Sequence, residues 1–85
     1  MDETNPYLSE VVIEGVREQI AINDPPEMKE IFNRLIDEGY PKPEVFMMLA
    51  CVLSTGMFEI LKHKRVFDRY LYIQRLRDLP KLPWE

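Results

Sequence analysis

The sequence predicts an all-α protein, a compact four-helix bundle around a buried central helix. First, residues 45–58 contain no charged side chain, and a helix that is apolar on nearly all sides is buried by neighbours or inserted in a membrane. Second, two earlier segments carry apolar residues at the i, i+3, i+4 spacing of helices. Third, the alternation of apolar and polar residues that is typical of strands is missing.

The length and composition indicate one domain, residues 1–85. The chain has 85 residues, of which 46% are hydrophobic and 31% charged, as in ordinary globular proteins. As a helix the uncharged run would span about 21 Å, less than the hydrocarbon core of about 30 Å. Met1 is followed by Asp2 and Glu3, unlike the basic start of a signal peptide. We therefore expect a cytoplasmic protein with no membrane partner.

Charge is distributed unevenly along the chain. Residues 1–59 contain 12 acidic and 4 basic residues, whereas residues 60–85 contain 3 acidic and 7 basic residues. The simplest interpretation is that a basic last helix faces the acidic part within one fold. The alternative is a basic surface for an acidic partner or for nucleic acid. The net charge of −4 makes nucleic acid the less favoured partner.

The first helix is predicted over residues 6–22. Asn5 is a favourable N-cap, and Pro6 fits the first helical position, where an N–H would have no partner. Apolar residues then recur at a spacing of four: Leu8, Val12, Val16 and Ile20. This spacing places them on one face of the helix. Gly15 lies beside that face and is expected to let a neighbouring helix come close.

The second helix is predicted over residues 25–38. Asp24 and Glu27 resemble a capping box, and Gly39 suits the left-handed position that follows a last turn. The apolar positions follow the i, i+3, i+4, i+7, i+8 pattern: Met28, Ile31, Phe32, Leu35 and Ile36. We therefore expect this helix to pack one continuous face against the core.

The central helix is predicted over residues 43–63. The basic cluster 62–65, which reads Lys-His-Lys-Arg, suits the C-terminus of a helix. After this cluster, Val66 and Phe67 are expected to turn inward. Cys51, the single cysteine, lies in the middle of the apolar run and is interpreted as a buried apolar residue.

The last helix is predicted over residues 68–79, and residues 80–85 are expected to form a tail. Asp68 is a favourable N-cap, and Pro80 stops the helix. The apolar positions expected in this helix are Tyr70, Leu71, Ile73, Leu76 and Leu79. Its arginines are expected to lie mostly in solvent: Arg69, Arg75 and Arg77.

Several short motifs are spread along the chain: Asn5-Pro6-Tyr7-Leu8, Glu18-Gln19, Asn23-Asp24-Pro25-Pro26-Glu27, the turn at Gly39, Glu44 and Phe67-Asp68-Arg69-Tyr70. Their order and spacing resemble those of a small prokaryotic family of all-helical proteins of unknown function. The resemblance covers about residues 5–80.

The resemblance implies a metal or catalytic site in the family whose histidines this chain lacks. In the family, two histidines four residues apart on the first helix and two on the third resemble a metal or catalytic constellation. The i, i+4 spacing places each pair on one face, and facing helices can close a site. The matching positions here are Ser9, Ile13, Pro43 and Met47. The chain therefore resembles a divergent member, and we predict no catalytic residue, cofactor or metal ligand.

The sequence favours a non-enzymatic protein-interaction module, and we expect a homodimer or another homo-oligomer. Methionine adapts well to docking partners, and self-association would enlarge the core of so short a chain. The candidate interaction surface is Met47, Gly56, Met57, Tyr70, Tyr72 and Trp84.

Two alternative functions stay open. A metal-dependent hydrolase or metal-binding protein, as the family histidines imply, would depend on the polar residues Glu18, Gln19, Glu44 and Glu59. Nucleic-acid binding would use the basic last helix. The sole histidine, His63, supports neither metal binding nor catalysis, because its basic neighbours repel a metal ion.

Overall fold

The computed structural model describes residues 10–84 and contains four α-helices in this part of the chain. They are α1 (Glu10–Ile22), α2 (Pro26–Asp37), α3 (Lys42–His63) and α4 (Arg69–Asp78). No strand occurs among the described residues, so the predicted all-α four-helix fold is confirmed. The predicted helix start at Asn5 and Pro6 lies outside the described residues.

The third helix is the central element of the bundle. It packs against α1, α2 and α4, and α2 packs in addition against α1 and α4. The core residues that α3 contributes are Val45, Leu49, Ala50 and Val52. All four come from the N-terminal half of α3, so the apolar run is a core helix there.

The predicted apolar faces of α1 and α2 are confirmed. In α1 the buried residues are Val12 and Val16, and in α2 they are Met28, Ile31 and Leu35. Gly15 allows the close approach that was expected, because a Cβ atom there would lie 3.1 Å from the Cδ2 atom of Leu53.

The turn after α2 has the expected left-handed glycine. Gly39 has a φ of 102°, and its N–H donates to the carbonyl of Ile36 at 3.0 Å. The N–H of Tyr40 donates to the carbonyl of Leu35 at 3.2 Å. This pair of bonds is a Schellman motif, which satisfies the last carbonyls of the helix.

The caps of α2 and α4 differ from each other. Pro25 is the N-cap of α2, and no side chain caps that helix. The predicted capping box of Asp24 and Glu27 is therefore wrong, because Asp24 lies one residue too early. Asp68 caps α4 as predicted, since its Oδ1 atom accepts a hydrogen bond from the N–H of Leu71 at 3.0 Å.

The arginines of α4 join this helix to the acidic part of the chain. The ion pairs are Arg69–Asp24 at 3.3 Å, Arg75–Glu59 at 2.8 Å and Arg77–Glu27 at 3.8 Å. The expectation that these arginines lie in solvent is wrong for Arg75, whose side chain is mostly buried against Glu59. The basic last helix thus faces acidic residues within one fold.

The apolar face of α4 differs from the prediction at two positions, Tyr70 and Tyr72. The buried residues are Tyr72, Leu76 and Leu79, which follow an i, i+4, i+7 pattern. Tyr70 is 77% exposed, because a residue two positions away from Tyr72 points to nearly the opposite side of a helix.

Candidate functional site

Burial along α3 stops in the middle of the helix. Ser54 is its last buried residue, and four large apolar residues that follow are exposed: Met57, Phe58, Ile60 and Leu61. The helix has 22 residues, whereas α2 has 12 and α4 has 10. At 1.5 Å per residue, α3 is longer than these neighbours by about 15–18 Å. The prediction of a buried central helix is therefore wrong for its C-terminal end.

The four exposed residues form one continuous face. Successive residues of an α-helix are rotated by about 100°, so Ile60, Met57, Leu61 and Phe58 follow one another around about 160° of the circumference. Glu59 and Lys62 lie on the other side. We call the surface formed by Met57, Phe58, Ile60 and Leu61 the α3 end face.

The connector between α3 and α4, residues 64–68, extends this apolar surface. Lys64 adopts a left-handed conformation with a φ of 55°, and its N–H donates to the carbonyl of Glu59. The N–H of Arg65 bonds to the same carbonyl at 3.4 Å. The connector therefore folds back at the last turn of α3. Val66 is 91% exposed, so the expectation that it turns inward is wrong.

A basic cluster borders the α3 end face. Residues 62–65 are all exposed, and the ring of His63 makes an edge contact with the ring of Phe58 at 5.9 Å. The ion pairs within residues 10–84 use arginines of α2 and α4, and none uses Lys62, Lys64 or Arg65. The surface beside the α3 end face is therefore positively charged.

Glu59 and Arg75 attach the end of α3 to α4. The two guanidinium nitrogens of Arg75 donate to the two carboxylate oxygens of Glu59 at 3.0 and 2.8 Å. These hydrogen bonds lower the pKa of Glu59 and raise the pKa of Arg75. Because each charged group satisfies the other, the pair is a structural anchor rather than an acid–base site.

One residue of the predicted interaction surface, Tyr72, belongs to the core. Its side chain is only 4% exposed, its hydroxyl donates to the Oε1 atom of Gln19 at 2.7 Å, and its ring packs on that of Phe67 at 5.5 Å. Burial raises the pKa of Tyr72 well above its usual range. The assignment of Tyr72 to an interaction surface is therefore wrong, because the apolar face of α4 runs through this position.

The other predicted surface residues are not gathered at one place. Met57 lies in the α3 end face, and Tyr70 follows the connector. Met47 is exposed but precedes Met57 by ten residues, about 15 Å along the helix. Trp84 is exposed in the tail.

Gly56 is in contact with the connector. The ring of Phe67 lies 3.9 Å from the position that a Cβ atom of Gly56 would occupy. The neighbour beside Gly56 within the described residues is thus a side chain of the connector.

Sequence reasoning missed five residues of the exposed apolar surface: Phe58, Ile60, Leu61, Val66 and Phe67. The lengths of the predicted helices were the signal in the sequence that could have indicated this exposure. The predicted central helix is longer than the predicted last helix, so its end extends past a neighbour that could cover it. The apolar composition alone predicted burial of the whole helix, and the difference in helix length was not considered.

The positions at which the resemblance implies histidines come partly together in the structure. Ser9 lies outside the described residues. A shallow groove between α1 and α3 is lined by Ile13, Arg17, Lys42, Pro43 and Phe46. The groove thus contains one matching position from each helix, Ile13 and Pro43, and neither has a side chain that binds metal. Within residues 10–84, no group of three or more His, Cys, Asp or Glu side chains could hold a metal ion.

Cys51 is buried, as predicted. Burial raises the pKa of its thiol, so the thiol stays protonated at neutral pH and is a poor nucleophile.

The third helix also has the length and composition of a membrane span. Within the described residues, α3 is the one helix that is long and apolar enough to cross a bilayer, and about a third of its most apolar window is buried inside the fold. A core helix of a soluble bundle has the same properties, and the packing of α3 against three helices is of that kind.

Comparisons with known proteins identify a family but not an activity. A family model described as domain of unknown function (DUF1841) matches residues 1–78. The chain is also similar to the 11-oxo-beta-amyrin 30-oxidase of Glycyrrhiza uralensis, with 27% identity over 71 residues. That similarity covers 78% of this chain and only 13% of the oxidase. No solved structure matches the chain.

Proposed function

The chain belongs to the DUF1841 family of domains of unknown function, and we propose that it is a non-enzymatic module that associates with a second copy of itself through the α3 end face. The observation that carries this proposal is the exposure of four large apolar residues on one side of a helix end. Covering such residues is favourable, because burial of a Leu or Phe side chain contributes about 1.5–3 kcal/mol.

The composition of the surface supports a protein contact. The α3 end face is extended by the exposed side chains of Val66, Phe67 and Tyr70. Aromatic residues and methionine are enriched at interfaces, and an aromatic side chain can bury about 150–250 Å². Seven partly exposed residues together offer on the order of several hundred Å², near the scale of about 800 Å² per partner in a standard interface.

Three of the polar or reactive groups weighed for chemistry already have structural roles. Glu59 is paired with Arg75, Gln19 accepts a hydrogen bond from Tyr72, and the thiol of Cys51 is buried. Two of the four residues that support the metal-dependent alternative, Gln19 and Glu59, are thus engaged with other side chains. This use of polar groups supports the non-enzymatic part of the proposal.

Nucleic-acid binding has less support. The alternative depends on the basic residues of α4, and Arg69, Arg75 and Arg77 are in ion pairs with acidic residues of the same fold. Phosphates bound by these arginines would compete with the carboxylates of the same fold.

Sedimentation equilibrium tests the proposal. The wild-type protein is expected to form oligomers as its concentration rises, and Leu61→Asp is expected to weaken this association strongly, because a charge would replace a large apolar contact. Leu61 is 77% exposed, so the variant should keep the stability of the wild type in urea unfolding. Asn33→Asp is the control, since it adds the same charge at an exposed position of α2 and should associate normally. A wild-type monomer at all concentrations, or unchanged association of Leu61→Asp, would overturn the proposal.

A further inference from the structure

We infer that the copies associate head to tail, with the α3 end face of one copy on the outward face of α1 of the next. This inference rests on the proposed function and specifies its geometry. The basic cluster 62–65 beside the α3 end face and the glutamates of α1 have complementary charges.

A symmetric contact between two α3 end faces is electrostatically unfavourable. It would bring the basic clusters 62–65 of both copies together, and no acidic residue occurs from Ile60 to Phe67 to neutralise them. At physiological salt the Debye length is about 8 Å, so charges across an interface still interact. Like charges that face each other in this way disfavour a contact.

The outward face of α1 has the opposite charge. Glu10, Glu14 and Glu18 recur at a spacing of four, and all three are exposed, because Val12 and Val16 direct the other side of the helix into the core. Ile22 continues the same row and is an exposed apolar residue. Arg17 is exposed beside this row, and its guanidinium lies over the ring of Phe46 at 5.5 Å. Three carboxylates against one base leave this face negatively charged, and with Ile22 it complements the basic and apolar end of α3.

The outward face of α2 is a weaker match. It places Lys29 beside Glu30, and both are exposed, while Glu38 is in an ion pair with Arg34 at 3.3 Å. Asp37 adds a second exposed carboxylate, so α2 presents two exposed carboxylates beside Lys29, whereas α1 presents three beside Arg17. Among the helices of the described part of the chain, α1 presents the row of carboxylates that best fits the cluster 62–65.

A head-to-tail contact has two measurable consequences. The two surfaces of one copy are different, so association continues until a ring closes and otherwise extends into a chain. Salt is expected to weaken the contact, because it screens opposite charges. A symmetric contact would be strengthened by salt, since the like charges would be screened.

A mixing experiment tests the geometry with two variants. Leu61→Asp removes the α3 end face and keeps the α1 face. Glu14→Lys with Glu18→Lys removes the α1 face and keeps the α3 end face. Each variant alone is expected to associate about tenfold or more weakly than wild type. A 1:1 mixture is expected to form a dimer that does not grow further, because only one pair of intact faces remains.

A matched control isolates the position of the charge change. Glu30→Lys with Asp37→Lys makes the same change in charge at exposed positions of α2 and is expected to associate like wild type. Urea unfolding checks that all variants are folded, and Glu14→Gln with Glu18→Gln gives a milder version if the lysine variant is not.

The outcomes separate the two hypotheses. If the wild-type protein is monomeric, both the proposed function and the head-to-tail geometry are overturned. If the wild-type protein associates but the α1 variant does so equally well, or the mixture stays monomeric, the head-to-tail geometry alone is overturned. Recovery of a dimer only in the mixture supports both.

Discussion

The two halves of α3 have similar sequences and different environments. Residues 45–54 are largely buried by the other helices, whereas Met57, Phe58 and Leu61 are exposed. Both halves are strongly apolar, and the second contains one acidic residue, Glu59, before the basic cluster. The difference arises from the neighbours, because α2 and α4 are about half as long as α3.

This difference shows that apolar composition does not by itself distinguish a core from an interface. The hydrophobic effect drives burial of apolar surface against any partner, within the chain or outside it. In the first half of α3, the other helices provide that partner. In the second half, the connector and the Glu59–Arg75 pair hold the helix end in place but leave the α3 end face uncovered.

The largest expected effect is the difference in stability loss between a leucine truncation in the buried half of α3 and one in its exposed half. Leu49 is fully buried, so Leu49→Ala is expected to lower the free energy of unfolding by about 2–5 kcal/mol. Leu61→Ala should change it by less than about 0.5 kcal/mol. Urea unfolding of dilute protein measures both, and Val52→Ala is a milder core variant if Leu49→Ala does not fold. Equal losses at Leu49 and Leu61 would show that the end of α3 is covered in the monomer.

A smaller effect is expected at the ion pair that anchors the exposed half. Glu59→Gln should lower the free energy of unfolding by about 1 kcal/mol at neutral pH, because charged hydrogen bonds from Arg75 are lost. The pKa of Glu59 is lowered in the folded state from its ordinary value of 4.5. Its contribution is therefore present above about pH 4.5 and is lost as the pH falls through the lower, folded value.

Acid titration of stability checks this anchor. Wild type should lose more stability than Glu59→Gln as the pH falls below about 4.5, and the two proteins should become similar in acid. Glu44→Gln is the control at an exposed carboxylate of α3. Parallel pH profiles for wild type and Glu59→Gln would show that the pair does not stabilise the helix end.

The smallest expected effect compares Gly15, which packs against α3, with Gly56, which lies in α3 beside the connector. Gly56→Ala should raise the free energy of unfolding by about 0.5–1 kcal/mol, because alanine favours the helix and the nearest atom of Phe67 leaves room at 3.9 Å. Gly15→Ala should gain less or destabilise, because its Cβ atom would lie 3.1 Å from Leu53. Thermal unfolding of both variants tests this order, and an equal gain at Gly15 would contradict the tight packing of α1 on α3.

Features that depend on nearby residues were predictable from the sequence. The buried faces of α1 and α2, the turn at Gly39 and the cap at Asp68 each follow from residues a few positions apart. The capping box at Asp24 failed because the backbone before α2 places Pro25 at the N-cap. The same residue types one position later could have formed the cap, so the prediction placed the N-cap one residue too early.

Features of the candidate site were less predictable. Tyr70 and Tyr72 are the same residue type two positions apart, and the packing of α4 buries one and exposes the other. Met57 was predicted to lie on the interaction surface and is exposed, but five other residues of that surface were not recognised: Phe58, Ile60, Leu61, Val66 and Phe67. Their exposure is set by which helix lies opposite each residue.

The sequence by itself determined that this chain forms helices and which side of α1 and α2 is apolar, because helical periodicity is a local property. It also showed that the middle segment must be covered by something apolar. Only the tertiary structure determined at which residue of α3 burial by the other helices ends. Exposure depends on the lengths and positions of elements distant along the chain, and here α2 and α4 are too short to cover the end of α3.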